Sequence, residues 1–118
     1  MTNSIVLDKA IKFALRIVKT YKYLTEEKQE YVLSKQLLIA AVFIARHVKA
    51  ALHSNARTGF AAEMYIALQR SLETELWLLL IKEADYITEP QYESLNADCV
   101  EMIKLTSSIS KTSRAEND

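Results

Sequence analysis

"SLETELWLLLI", Ser71 to Ile81, places two glutamates just ahead of six apolar residues in a row. A membrane segment, a carboxylate metal site and a helix buried on all sides would each explain it. Glu75 and Lys82 bracket only six residues, and the longest charge-free stretch, Gln36 to Ala45, is ten. A spanning helix needs about twenty, so the membrane reading fails. Glu73 and Glu75 are two positions apart, which sends them to different faces of a helix. The residue three before His47 is Ile44, and three before His53 is Ala50, so the Glu-x-x-His pairs of two-metal helical bundles are missing. No metal or other cofactor is expected. One of the two glutamates is expected to pair with a basic group on the first two helices. What remains is a helix without a wet face.

The rest of the chain supports helices throughout. It has one glycine (Gly59) and one proline (Pro90) in 118 residues, whereas hairpins and βα loops need many. Apolar residues Val6, Ala10, Phe13, Ile17 and Leu24 recur on one face of a first helix, from about Ser4 to Leu24. Thr25 reads as the N-cap of a second helix, with Glu26 and Glu27 in its first turn, ending near His53. "HSNARTG" makes a turn, and Thr58 reads as the cap of a third helix running to about Ala84. "DYITEPQ" breaks that helix. Thr88 and Gln91 have capping-box spacing for a fourth, with Pro90 tolerated in its first turn. The expected fold is all-α, an up-down-up-down antiparallel four-helix bundle over residues 1–110. The polar stretch 111–118 is expected to be a disordered C-terminal tail.

"LLIAAVFIA" (Leu37–Ala45) and "LWLLLI" (Leu76–Ile81) are apolar on every face, yet each helix of a lone bundle has one side in water. A second copy of the chain is the expected cover, with Leu38, Ala41, Ala45, Trp77 and Leu80 at the contact. With one cysteine, Cys99, no intrachain disulfide can form, which fits a reducing, cytoplasmic setting. The N-terminal "MTNSIVLDKAIKF" lacks the basic and long apolar regions of a signal peptide.

Catalytic chemistry is not legible. Cys99 sits between Asp98 and Val100 with Glu101 close by, an acidic setting that would hold its thiol protonated. One glycine excludes a Walker loop and a dinucleotide fingerprint, so no enzyme is expected. The charges are polarised instead. Residues 1–57 hold ten Lys/Arg against four Asp/Glu, and residues 58–118 hold five against eleven. Lys9, Lys12, Arg16 and Lys19 form one stripe along the first helix, and Arg46, Lys49 and Arg57 cluster around the end of the second. Such groups attract phosphates without regard to base sequence.

The third helix carries a resemblance. Phe60, Ile66, Ala67, Leu68, Glu73, Thr74, Trp77 and Leu78 match a Phe, Ile-Ala-Leu, Glu-Thr-x-x-Trp-Leu pattern. Ile44, Val48 and Ala51 match part of an Ile-x-x-Asn-Ile-x-Glu-Ala run. Together they resemble the S23-like four-helix-bundle family encoded in intervening sequences of bacterial 23S rRNA genes, which also includes diversity-generating retroelement accessory proteins. The resemblance spans about residues 5 to 110. His47 and Ala50 stand where the family has Asn and Glu. It implies a homo-oligomeric ring, pentameric by preference, with a connection to RNA or single-stranded nucleic acid. The expected function is therefore a non-enzymatic, weakly RNA-binding adaptor. The alternative is a protein-interaction scaffold in which the basic and acidic halves meet head-to-tail across subunits.

Overall fold

A computed structural model describes residues 4–117, with side chains described for residues 5–113. Met1–Asn3 and Asp118, which belong to the expected domain and tail, lie outside the described residues. The chain forms α1 (Ser4–Glu26), α2 (Leu33–Leu52), α3 (Arg57–Glu83) and α4 (Glu89–Asn117). Each helix packs on its two neighbours in the cycle α1–α2–α3–α4. The diagonal pairs do not approach among the described residues, and α1–α4 is the loosest of the four sides. The bundle measures 47 × 22 × 19 Å, a length that follows from helices of about 3.0 to 4.4 nm lying side by side.

The core runs down the axis as Phe13, Ile17 and Leu24 of α1, Leu37, Ile44 and Val48 of α2, Met64, Leu78 and Ile81 of α3, and Leu95 and Met102 of α4. The third helix is the exception to a simple apolar stripe. It turns Ala61, Ala67, Ser71 and Thr74 inward beside Met64, Leu78 and Ile81, while Leu72, Leu76, Leu79 and Leu80 stay in the open. Ser71 and Thr74 are fully buried because each hydroxyl donates to a carbonyl one turn back, Ala67 at 2.8 Å and Arg70 at 2.7 Å. A buried hydroxyl satisfied within its own helix costs little. "SLETELWLLLI" is therefore split: Ser71, Thr74, Leu78 and Ile81 face the core, and most of its leucines do not.

α4 also turns small hydroxyl residues inward, although Ser110 Oγ is buried without a hydrogen-bond partner among the described residues. Leu95, Cys99, Met102, Thr106, Ser110 and Ser113 form one buried stripe at helical spacing, and Thr106 donates to the Met102 carbonyl at 2.7 Å. The helix consequently continues to Asn117, through the stretch 111–117 that its polar composition suggested was a disordered tail. The apolar rhythm did not stop; it passed to small hydroxyl residues.

The helix ends also depart from expectation in two places. Thr25 does not cap α2. It lies in the last turn of α1, where its hydroxyl donates to the Tyr21 and Lys22 carbonyls. Gln29 takes a left-handed conformation (φ 53°), and Glu30 supplies the cap from a buried position. Its carboxylate accepts N–H bonds from Val32 (3.1 Å), Leu33 (2.8 Å) and Ser34 (2.7 Å). Thr58 sits inside the first turn of α3, whose N-cap, Ala56, has no side-chain bond; Ser54 tightens that turn instead by bonding both the N–H and C=O of Ala56. The Ser54 hydroxyl also fills the space that a Cβ on Gly59 would need. The Thr88–Gln91 box forms as its spacing predicts, with reciprocal bonds of 2.8 and 3.2 Å. Asp85 closes α3 in a left-handed conformation (φ 67°), with N–H bonds from Asp85 to the Lys82 carbonyl and from Tyr86 to that of Ile81, a Schellman ending without glycine.

Burial pushes the Glu30 carboxyl up, but the N–H groups of Leu33, Ser34 and Val32 outweigh it and leave the pKa below its ordinary 4.5. A depressed folded pKa contributes stability that is present above the unfolded value and lost as pH falls through the folded one. Glu30→Gln should cost about 1–2 kcal/mol near neutrality, the range of a lost helix cap. The gap between variant and wild type should narrow in urea titrations run progressively below about pH 4.5. A gap that is constant with pH would show that the carboxylate charge is not what holds the turn.

Candidate nucleic-acid interface

The basic stripe on α1 divides into two kinds of residue. Lys9 and Arg16 turn toward α4. Lys9 Nζ pairs with Glu101 Oε2 at 2.9 Å. Arg16 donates to Asp98 Oδ2 at 2.8 Å, to the Ser94 hydroxyl at 2.9 Å and to the Ser94 carbonyl at 3.2 Å. These two cations lace the loosest side of the bundle. Lys12 and Lys19, one face-step further out at 100° per residue, are exposed and have no ion pair among the described residues. Half of the expected phosphate stripe is thus engaged within the chain and half is open.

The second cluster divides as well. Arg46 is exposed, with its guanidinium 4.9 Å from the Phe43 ring, and Arg70 of α3 approaches the same ring at 4.6 Å. Lys49 is exposed and unpaired among the described residues. Arg57 is exposed at the start of α3, across the α2–α3 turn from Lys49. His47, in the position where a family Asn was expected, bonds Glu63 of α3 at 2.7 Å and ties α2 to α3.

Glu73 does not reach the first two helices. It accepts from Arg70 at 3.0 Å and from the Trp77 indole at 3.1 Å, both on its own helix. The Glu-Thr-x-x-Trp-Leu pattern therefore has a structural reason: Glu73 holds Trp77 one turn on, while Thr74 and Leu78 sit in the core. Cys99 is buried and its thiol is pushed up to about 12, first by burial and then by the Glu75 charge on α3. At neutral pH it is a thiol rather than a nucleophilic thiolate. The sequence reading placed the acidic influence on Asp98 and Glu101; the neighbouring helix supplies it. Among the described residues no three His, Cys, Asp or Glu side chains gather in a metal-holding cluster.

The expected contact residues also sort. Ala41 is fully buried inside the single chain and cannot meet another copy. Leu38, Ala45 and Trp77 are half-buried on helix flanks, and Leu80 is exposed. Spacing alone missed larger candidates: Tyr65, Leu72, Leu76 and Leu79 on α3, and Ile11, Leu15 and Val18 on α1. The inward alanines and hydroxyls of α3 are the signal that could have revealed them, since a helix that buries small residues must show its large ones.

Below the α1 stripe lies a groove of about 550 Å³ between α1 and the start of α4, lined by Arg16, Lys19, Thr20, Tyr23, Ile87 and Leu95 among others. No helix among the described residues is long and apolar enough to cross a membrane.

The Arg16–Asp98 pair is about two-fifths exposed on each side, where measured ion pairs contribute little. Asp98→Ala should cost under about 1 kcal/mol in urea unfolding. A much larger loss would make this pair, rather than apolar packing, the fastening of α1.

Comparison with known proteins agrees with this architecture. No curated protein matches the chain. A crystal structure of a protein of unknown function from the S23 ribosomal protein family of Bacteroides thetaiotaomicron superposes with a TM-score of 0.91 at 42% identity, covering 94% of this chain and 99% of that one. The 23S rRNA-intervening sequence protein family matches residues 2–108, nearly the whole chain, and the protein belongs to that family.

Proposed function

We propose that the chain is a non-enzymatic, cytoplasmic helical bundle that assembles into a ring, five copies by resemblance, and binds RNA weakly as an adaptor. The observation that carries the RNA reading is the pair Lys12 and Lys19, exposed and without an intramolecular ion pair among the described residues. One pair gives modest affinity, but a ring repeats it and adds avidity.

Two unlike surfaces support assembly. One is the α3 ridge of Tyr65, Leu72, Leu76, Leu79 and Leu80, with Leu72 at 47% and Leu76 at 52% exposure, beside Glu75 and Glu83. The other is the strip Ile11, Leu15 and Val18 on α1, beside Lys22, with Val42 and Lys35 exposed on the adjoining α2. A ridge meeting a different strip is a heterologous contact, the kind that builds a ring when its rotation closes and a filament when it does not, and the flanking charges are of opposite sign. Lys12 and Lys19 lie on the α4 side of this strip and would stay outside the contact. Leu72→Glu combined with Leu76→Glu should yield folded monomer by light scattering, since both residues are exposed in the single chain. An unchanged mass, or a wild type that is itself monomeric, would remove the ring.

For RNA, fluorescence anisotropy of a labelled structured RNA should show roughly micromolar binding at about 50 mM salt that falls steeply by about 200 mM. Lys12→Glu with Lys19→Glu should weaken it at least tenfold, by about 1.4 kcal/mol or more, with helicity unchanged. The engagement of Lys9 and Arg16 by α4 favours the alternative, a scaffold without a nucleic-acid role; absence of binding at the lower salt would select it.

A further inference from the structure

The groove between α1 and the start of α4 has chemistry of its own. Tyr23, Ile87, Pro90 and Leu95 give it an apolar floor, while Lys19, Arg16, Gln91 and Ser94 give it donors. It opens on the α1–α4 side, the loosest of the bundle. Among the described residues no carboxylate lines it, and Asp98, one turn along α4 from Ser94, is held by Arg16. Past Tyr23 and Ile87 it meets a second hollow of about 380 Å³ that holds Asp85 and Glu89, where Lys82 is already paired with Glu83 and Glu89. Lys28 also lines that hollow, its ammonium 5.9 Å from the Tyr23 ring centroid, so the charges there balance, whereas the Lys19 side is cationic only and is the side that favours an anionic strand.

Resting on the RNA reading above, we infer that this groove receives one unpaired nucleotide of single-stranded RNA, its base against the Tyr23 ring and its phosphate on Lys19. Stacking on an aromatic ring needs a free base face, which a base inside a duplex does not offer. A phosphate on Lys19 needs only charge. Gln91 and Ser94 can bond a base edge, although Gln91 is partly engaged in the α4 capping box and Ser94 by Arg16. Neither can then act as a strict reader, so the groove selects single strand over duplex more than one base over another.

The test compares a labelled oligouridylate with a hairpin duplex of equal phosphate number, by anisotropy at about 50 mM salt. Wild type should favour the single strand about tenfold, within the range of one stacked base. Tyr23→Leu should bring the two to parity while leaving duplex affinity unchanged. Because Tyr23 also packs against the core, Thr20→Leu, which narrows the groove from a half-buried surface position without adding a ring on which a base could stack, serves as the second variant with the same expected result. Equal or tighter duplex binding by wild type, or a preference that survives both variants, would overturn the groove while leaving RNA binding in place. Binding of neither probe would overturn both.

Discussion

α3 can turn only one side inward, and the side it turns is its small one. Ala61, Ala67, Ser71 and Thr74 occupy core positions, with hydroxyls bonded back to their own helix. Across from them α4 offers Cys99, Thr106 and Ser110, and the Cys99 thiol donates to the Ser71 carbonyl at 3.4 Å. Small residues on both sides let α3 and α4 lie close. The cost is geometric: at 100° per residue, leucines between these positions cannot also be inside. Four of them are left in the open, and an apolar ridge of that size on one helix asks for a partner.

The electrostatics follow from the same packing. With α3 and α4 held tightly, α1 is seated against α2 and meets α4 loosely. The gap is bridged at its surface by Lys9 and Arg16, partly exposed pairs whose worth is small beside the apolar contacts of Phe13 and Ile17. That arrangement leaves Lys12 and Lys19 facing solvent and leaves a groove beneath them. The loosest side of the bundle is thus also the side where cations and a cavity coincide.

The family pattern in α2 and α3 is mostly a record of packing. Ile44, Val48, Ala51, Ala67, Thr74 and Leu78 are buried, and Glu73 anchors Trp77. None of these touches the exposed lysines. Where this chain departs from the pattern, His47 finds Glu63 across the α2–α3 seam, so the departure is also structural. A motif of this sort identifies the fold strongly and says little about chemistry, because fold and site occupy different residues.

The sequence by itself determined the helix count, their order, the Thr88–Gln91 cap and most of the core, since each of these depends on spacing along one chain segment. It also showed that α2 and α3 carry more apolar surface than a lone bundle hides. Whether Ala41 or Leu72 faces out, whether Thr25 or Glu30 caps α2, and whether residues 111–117 remain helical were decided only in three dimensions. Small hydroxyl residues read as polar in sequence yet pack as core, with the donors of Ser71, Thr74 and Thr106 bonded back one turn. The division of the basic stripe is of the same kind: Lys9, Lys12, Arg16 and Lys19 are equivalent by period, and only the position of Asp98 and Glu101 on a helix more than eighty residues away separates the cations that bind the bundle from those that remain available.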